Sequence, residues 1–120
     1  GSEMCLSDSP EGIHSIEKNA FLGNKIESLR IPGNVKFIGE SSFSENNIQR
    51  LVLEEGVSQI EKWAFTLNKI NSIEIPSSIK FIGLGAFWDN SELINVITPD
   101  KENVLNACGE FSLGNNIVFN

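Results

Sequence analysis

The sequence is poor in the residues that build metal centres and catalytic sites. It has one histidine, His14, two cysteines, Cys5 and Cys108, and no tyrosine. Zinc centres need several Cys or His ligands at short spacings, which these counts exclude. Neither cysteine has the basic partner that a catalytic thiol needs, and no phosphate-binding loop or nucleophile elbow is present. We therefore expect no catalytic residue, no cofactor and no metal.

Basic residues and long apolar runs are also scarce. Nine Lys and Arg stand against 16 Asp and Glu in 120 residues, a formal charge of −7. Proteins that bind nucleic acids or anionic lipids need basic surfaces. No apolar run approaches the ~18 residues of a membrane-spanning helix. We recognise no signal peptide at the start, and we interpret residues 1–2 as a cloning remnant, so secretion is neither indicated nor excluded. These absences predict no nucleic-acid partner and no membrane insertion.

What the sequence does contain is a repeat. Phenylalanine recurs every 22 residues, with an isoleucine five residues before it and an asparagine three residues after it. These series are Ile16, Ile38, Ile60 and Ile82; Phe21, Phe43, Phe65 and Phe87; and Asn24, Asn46, Asn68 and Asn90. Another apolar position follows at Ile26, Ile48, Ile70 and Leu93. Four units in phase predict a repeat architecture.

A longer period overlies this one. Residues 11–43 and 55–87 are identical at 18 of 33 aligned positions. Each unit therefore resembles the unit two places further along the chain more than it resembles the adjacent unit. Duplication of a two-unit segment explains this pattern. Odd and even coils should therefore carry different surface chemistry.

Each unit contains a short strand and a turn. Leu29 and Ile31 flank a polar residue, the alternation of a strand with one buried face. Proline after such strands, at Pro32, Pro76 and Pro99, should end them. Glycine at Gly39 and Gly83 predicts turns with an open backbone conformation. We expect the asparagines to satisfy backbone groups of their own and the next coil.

A single unit of 22 residues cannot stand alone. About seven buried side chains at ~1.5–3 kcal/mol each do not exceed the conformational entropy of ordering the unit, at ~1–2 kcal/mol per residue. Stacking on neighbouring units must supply the difference. The predicted fold is a solenoid of about four coils plus end caps, with stacked parallel short strands joined by turns or short helical segments.

The pattern I-x-x-L-x-I-P-x-x-V-x-x-I-G-x-x-A-F-x-x-N resembles the BspA-type leucine-rich repeats of bacterial and protozoan surface proteins. Residues 26–43 (IESLRIPGNVKFIGESSF) and 70–87 (INSIEIPSSIKFIGLGAF) carry it best. Family members often have cysteine where this chain has the asparagine series, and Glu54 replaces one proline. The resemblance implies a leucine-rich-repeat solenoid.

We interpret residues 1–120 as one solenoid domain, with repeats over 11–99 and a C-terminal cap over 100–120. Coils ~4.8 Å apart would separate Cys5 from Cys108 by ~20 Å, whereas a disulfide needs Cα atoms within about 7 Å. We expect no bond between them. The alternatives are a buried or cap cysteine and a bond to another chain.

Exposed aromatic residues form the first candidate binding surface. Phe37 and Phe81 lie between inward-facing residues, so they should face solvent about 10 Å apart at equivalent sites. Trp63 and Trp88 replace small or polar residues of the other units. Large exposed aromatics are over-represented where proteins bind. The alternative is that they pack on an edge or on the next coil.

The outward strand residues form the second candidate surface. They include Arg30, Arg50, Val52 and Glu74, and the two arginines should make a local basic spot on an acidic protein. In leucine-rich repeats such positions line the concave side, the usual recognition surface.

These features predict a non-catalytic protein–protein recognition module. The family resemblance implies part of a surface or secreted adhesin-like protein, located extracellularly or at the cell surface, with another protein, such as a host or matrix protein, as its partner. Two alternatives stay open. One is a carbohydrate-binding module using Trp63 and Trp88, and the other is a structural spacer from a longer array.

Overall fold

The computed structural model describes residues 3–6, 14–91, 94–109, 112–114 and 117–120. These residues form ten short strands and one helix. In chain order they are β1 (Glu3–Cys5), β2 (Ser15–Ile16), β3 (Ser28–Ile31), β4 (Phe37–Ile38), β5 (Arg50–Leu53), β6 (Gln59–Ile60), β7 (Ser72–Glu74), β8 (Phe81–Ile82), β9 (Ile94–Ile97), α1 (Lys101–Ala107) and β10 (Ile117–Phe119).

The strands form two parallel sheets, one on each side of a common core. The larger sheet has the order β1-β3-β5-β7-β9-β10, and the smaller sheet has the order β2-β4-β6-β8. Each repeat unit therefore contributes one strand to each sheet before the chain continues into the next coil. This architecture is a parallel β-solenoid of about four turns, which confirms the predicted fold class.

The register of the larger sheet places equivalent residues of successive units side by side. Leu29, Leu51, Ile73 and Val96 pair in one row, and all four are buried. The predicted alternation is thus confirmed in β3, where Leu29 and Ile31 are buried and Arg30 is exposed. Leu93, which was predicted to be a buried apolar residue of the fourth unit, lies outside the described residues.

Among the described residues, the segments between β2 and β9 are turns or irregular and contain no helix. The helical alternative is realised only after β9, where α1 leads towards β10. Two repeat positions have positive φ in every described coil: Asn19, Ser41, Trp63 and Gly85 in one series, and Gly23, Glu45, Leu67 and Asp89 in the other. Lys25, Gly56 and Gly114 have positive φ outside these series. Gly39 and Gly83 are not among them, so the predicted reason for these glycines is wrong. A Cβ at Gly39 would lie 2.5 Å from the carbonyl oxygen of Ile16, and one at Gly83 would lie 2.6 Å from the backbone nitrogen of Lys62. These positions need glycine because adjacent coils approach closely.

The phenylalanine series forms a continuous stack through the core. Ring centroids are 5.0 Å apart from Phe21 to Phe43, 5.3 Å from Phe43 to Phe65, and 5.2 Å from Phe65 to Phe87. Planes of adjacent rings differ by at most 6°. Phe43, Phe65 and Phe87 are fully buried, and the ring contacts join one coil to the next.

The asparagine series forms a parallel ladder of hydrogen bonds. The side-chain amide nitrogen of Asn68 donates to the carbonyl oxygens of Phe43, Phe65 and Thr66, and its oxygen accepts from the backbone N–H of Ile48. Asn46 and Asn90 repeat this arrangement one coil before and one coil after. The predicted structural role is confirmed for Asn46, Asn68 and Asn90, but each bonds backbone groups of its own and the preceding coil, not the next coil. Asn24, in the first coil, is exposed, and its side chain makes one long hydrogen bond to Leu22 within the described residues.

Ser42 departs from the repeat at a buried position. It is buried where the other units have alanine, at Ala20, Ala64 and Ala86, and its hydroxyl has no hydrogen-bond partner in the described part of the chain. We expect Ser42→Ala to raise the free energy of unfolding by about 1 kcal/mol, because it removes an unsatisfied buried hydroxyl. Urea denaturation measures this change.

Ser44 supplies the matched control. It is also buried, but its hydroxyl donates to the carbonyl oxygen of Trp63. Ser44→Ala should therefore lower the free energy of unfolding by about 1 kcal/mol. A loss of stability in both variants would contradict this reading of Ser42.

The last described residues extend both sheets. Strand β10 pairs with β9, and Cys108 forms an isolated parallel bridge with Ile82 of the smaller sheet. The side chain of Asp100 accepts from the N–H of Asn103 and caps α1. Cys108 is a free, half-buried thiol, and burial raises its pKa above the ordinary cysteine value, opposed in part by a hydrogen bond with Ser112. The side chain of Cys5 lies outside the described residues.

Candidate functional site

The outward face of the larger sheet carries one continuous row of side chains. Arg30, Val52, Glu74 and Ile97 are paired in register on β3, β5, β7 and β9. They lie on the opposite side of the sheet from the buried row that contains Leu51. Three of the four were predicted from the sequence as candidate partner-binding residues, and the structure brings these three together.

This row borders a shallow depression at the carboxyl ends of the strands. The depression, called here the strand-face depression, has a volume of about 450 Å³. Its lining consists of Arg30, Val52, Leu53, Glu54, Glu55, Glu74, Ile75, Pro76, Ile97, Thr98 and Pro99. It therefore combines aliphatic surface with several ionised groups, an arrangement suited to a side chain that is part apolar and part charged.

The two arginines of this face are paired with carboxylates. A guanidinium nitrogen of Arg30 lies 2.9 Å from a carboxylate oxygen of Glu54, and one of Arg50 lies 3.1 Å from Glu74. Both pairs run diagonally between adjacent strands, because the acidic residue lies 24 positions after the arginine. The predicted local basic spot is therefore wrong: each guanidinium is compensated by a neighbouring carboxylate.

Val52 is less accessible than predicted. Strand alternation places it outward, yet it is only 8 % exposed. It lies between Arg30 and Glu74 in the register, and the pair between Arg30 and Glu54 crosses beside it. Long charged side chains cover apolar surface with their methylene groups, which explains the burial. Val52 thus contributes to the floor of the depression, and Ile97, 44 % exposed, supplies the open apolar surface.

Phe37 and Phe81 lie on the outer face of the smaller sheet. They are 46 % and 42 % exposed, in register through Gln59. Their predicted exposure is confirmed, and their role in binding stays a prediction. The outer faces of the larger and smaller sheets lie on opposite sides of the core. The two rings therefore form a surface separate from the depression.

Trp63 and Trp88 lie in the turns, on a third surface. Their ring centroids are 5.9 Å apart with planes tilted by 33°. Trp63 is half-buried, because its ring lies on Gly85, where a Cβ would come within 2.3 Å of the ring. The packing alternative therefore describes Trp63, while Trp88 remains exposed. Leu67 and Leu84 are exposed nearby, each joined to one tryptophan by a backbone hydrogen bond.

Sequence reasoning missed several residues of the depression. Glu54 and Glu55 are not among the candidates that the sequence offered, yet both line it with Pro76 and Pro99. The available signal was positional, because all four occupy the two or three residues that follow a long strand. In a parallel stack such positions meet at one edge of the sheet.

Among the described residues, no group of three His, Cys, Asp or Glu side chains could hold a metal ion. No helix within the described ranges is long and apolar enough to cross a membrane.

The stacked coils, the phenylalanine core and the asparagine ladder define a repeat protein of the parallel β-solenoid class. The family model for the BspA-type leucine-rich repeat region matches residues 8–115, as six copies. The chain therefore belongs to the BspA-type leucine-rich-repeat family, which confirms the resemblance seen in the sequence. Searches of curated proteins and of solved structures each returned no match. Repeats of this family are typically non-catalytic, often take part in protein interactions, and typically occur in surface or secreted proteins.

Proposed function

We propose that this chain is a non-catalytic protein-recognition module that binds its partner on the outward face of the larger sheet, within a surface or secreted adhesin-like protein. The observation that carries the proposal is the strand-face depression, which joins side chains from β3, β5, β7 and β9. Protein interfaces combine an apolar centre with a polar rim. Ile97 and Val52 supply the apolar centre, and the carboxylates and Arg30 supply the rim.

The family assignment supports the class of function and the location. Repeat scaffolds keep their shape while surface residues vary, so the identity of the partner depends on the side chains of the depression and not on the fold. An extracellular protein, such as a host or matrix protein, is the partner that fits a surface location.

A binding screen tests the proposal. The immobilised domain is exposed to extracellular-matrix proteins and to a glycan array at physiological salt. We expect a protein hit whose affinity falls about tenfold or more in Ile97→Lys, because this change fills the depression and a central contact contributes on the order of 1–2 kcal/mol. Ile97 is exposed, so the variant should fold normally.

Variants on the other two surfaces serve as controls. Phe37→Ser/Phe81→Ser alters the smaller sheet, and Trp88→Ala alters the turns. Both should keep the affinity of the parent chain. Loss of binding only in the phenylalanine variant would move the interface to the smaller sheet. Silence against every protein and glycan would instead favour the structural-spacer alternative.

The exposed ring of Trp88 supports carbohydrate binding as a second candidate. Sugars stack on flat aromatic surfaces, and the 33° tilt between Trp63 and Trp88 leaves no single platform made of both rings. Glycan hits that quench tryptophan fluorescence and disappear in Trp88→Ala would establish this function. Sugar binding that survives in Trp88→Ala would exclude it for this surface.

A further inference from the structure

We propose that the strand-face depression receives a basic side chain, arginine or lysine, from an exposed segment of the partner protein. The inference rests on the proposed function and adds the chemistry of the group that is recognised. The shape, the aliphatic lining and the charge balance of the depression support it.

The aliphatic lining fits the stem of a long side chain. Ile97 is exposed at the depression, and Pro76, Pro99 and the covered Val52 contribute further apolar surface. Arginine and lysine bury their methylene stems on such surface while the charged head stays in a polar environment. The volume of about 450 Å³ accommodates one such side chain with part of its backbone.

The charge of the lining is negative. Arg30 contributes one positive charge, and Glu54, Glu55 and Glu74 contribute three negative charges, so the lining carries 1 − 3 = −2. Arg50, which pairs with Glu74 from outside the depression, reduces this to −1. The remaining charge and the net charge of −7 both attract a basic partner.

Glu55 is the carboxylate that the arginines leave uncompensated. Glu54 is paired with Arg30, and Glu74 is paired with Arg50. Glu55 instead accepts hydrogen bonds from the N–H and the hydroxyl of Ser77, at 3.1 and 2.7 Å, and forms no ion pair with any described residue. The carboxylate of Glu55 lies at the depression and is held there by the uncharged donors of Ser77. A guanidinium or ammonium group of a partner can reach it.

Other side chains fit the depression less well. An acidic side chain would meet a lining that is already negative. An uncharged aliphatic side chain would cover the apolar surface but would take water from Glu55 without replacing it by a cation. The charge balance thus selects a basic side chain over one that is only apolar.

Titration with short peptides tests the inference. The probes are capped pentapeptides with four alanines and a central arginine, lysine, norleucine or glutamate, added to the parent chain at low salt. The readout is the methyl NMR signals of Val52 and Ile97. We expect the arginine and lysine peptides to shift both signals at millimolar concentration. Norleucine should bind more weakly and glutamate should not bind. Added salt should weaken the binding of the basic peptides.

Glu55→Gln and Glu45→Gln are the matched variants. Both remove one carboxylate, but Glu45 lies in a turn, outside the depression. Glu55→Gln should weaken arginine-peptide binding roughly two- to fivefold, the range of an exposed ion pair. Glu45→Gln should change it by less.

Three results would overturn the inference: equal binding of the norleucine and arginine peptides, equal effects of the two variants, or no shift with the arginine peptide at about 10 mM. None of them depends on the protein screen. A screen hit that is insensitive to Ile97→Lys would contradict the proposed function separately.

Discussion

Replacing Asn68 by alanine is expected to lower the free energy of unfolding by about 2–4 kcal/mol. The side chain makes four hydrogen bonds, and the N–H of Ile48 would lose its acceptor inside the core. The carbonyl oxygens of Phe43 and Phe65 would keep one donor each, from Asn46 and Asn90, which limits the loss. Urea denaturation with the parent chain as reference measures the change.

Asn24 is the matched control because it occupies the same repeat position in the first coil. Its side chain is exposed and, among the described residues, makes one long hydrogen bond, 3.4 Å, to the carbonyl oxygen of Leu22. Asn24→Ala should change the free energy of unfolding by less than about 0.5 kcal/mol. Equal losses at Asn24 and Asn68 would show that the ladder does not act through buried backbone groups.

Replacing Phe65 by alanine is expected to lower the free energy of unfolding by about 3–5 kcal/mol. Its ring is fully buried and stacks on Phe43 and Phe87 at 5.3 and 5.2 Å. The variant would leave a cavity in the middle of the array, where each coil depends on contacts with both neighbours. The free energy of unfolding of domains of this size is about 5–15 kcal/mol. Phe65→Ala should therefore unfold at a much lower urea concentration than the parent chain.

Phe21 provides the comparison at the end of the same stack. It is half-buried and stacks on one ring, Phe43, at 5.0 Å. Phe21→Ala should lower the free energy of unfolding by about 1–2 kcal/mol, since less apolar surface and a smaller cavity are involved. If the two alanine variants unfold at the same urea concentration, the stack does not couple the coils as the geometry indicates.

The depression shows where prediction from the sequence succeeded and where it stopped. Strand alternation placed Arg30, Val52 and Glu74 on the outward face, and the register brings them together. It did not show that Val52 is covered, that each arginine has a carboxylate partner 24 residues on, or that Glu55 lines the same depression. Those facts depend on side chains that reach diagonally between strands.

The turns show the same division. Repetition of Gly39 and Gly83 marked them as special, but alternation and spacing could not distinguish a positive φ from a close approach between coils. Trp63 was correctly identified as unusual for its position. Only the packed structure shows its ring lying on Gly85, so that Trp88 is left as the exposed member of the pair.

The sequence by itself determined the repeat length, the inward-facing residues, the parallel stacking and the family. The reason is that a 22-residue period puts equivalent apolar residues at the same place in successive coils, so that they stack in the core. The structural role of the asparagines followed from the same period. Only the tertiary structure decided which outward side chains are free and which are paired or covered. The physical reason is that surface contacts join residues of different coils, at separations that the repeat does not constrain.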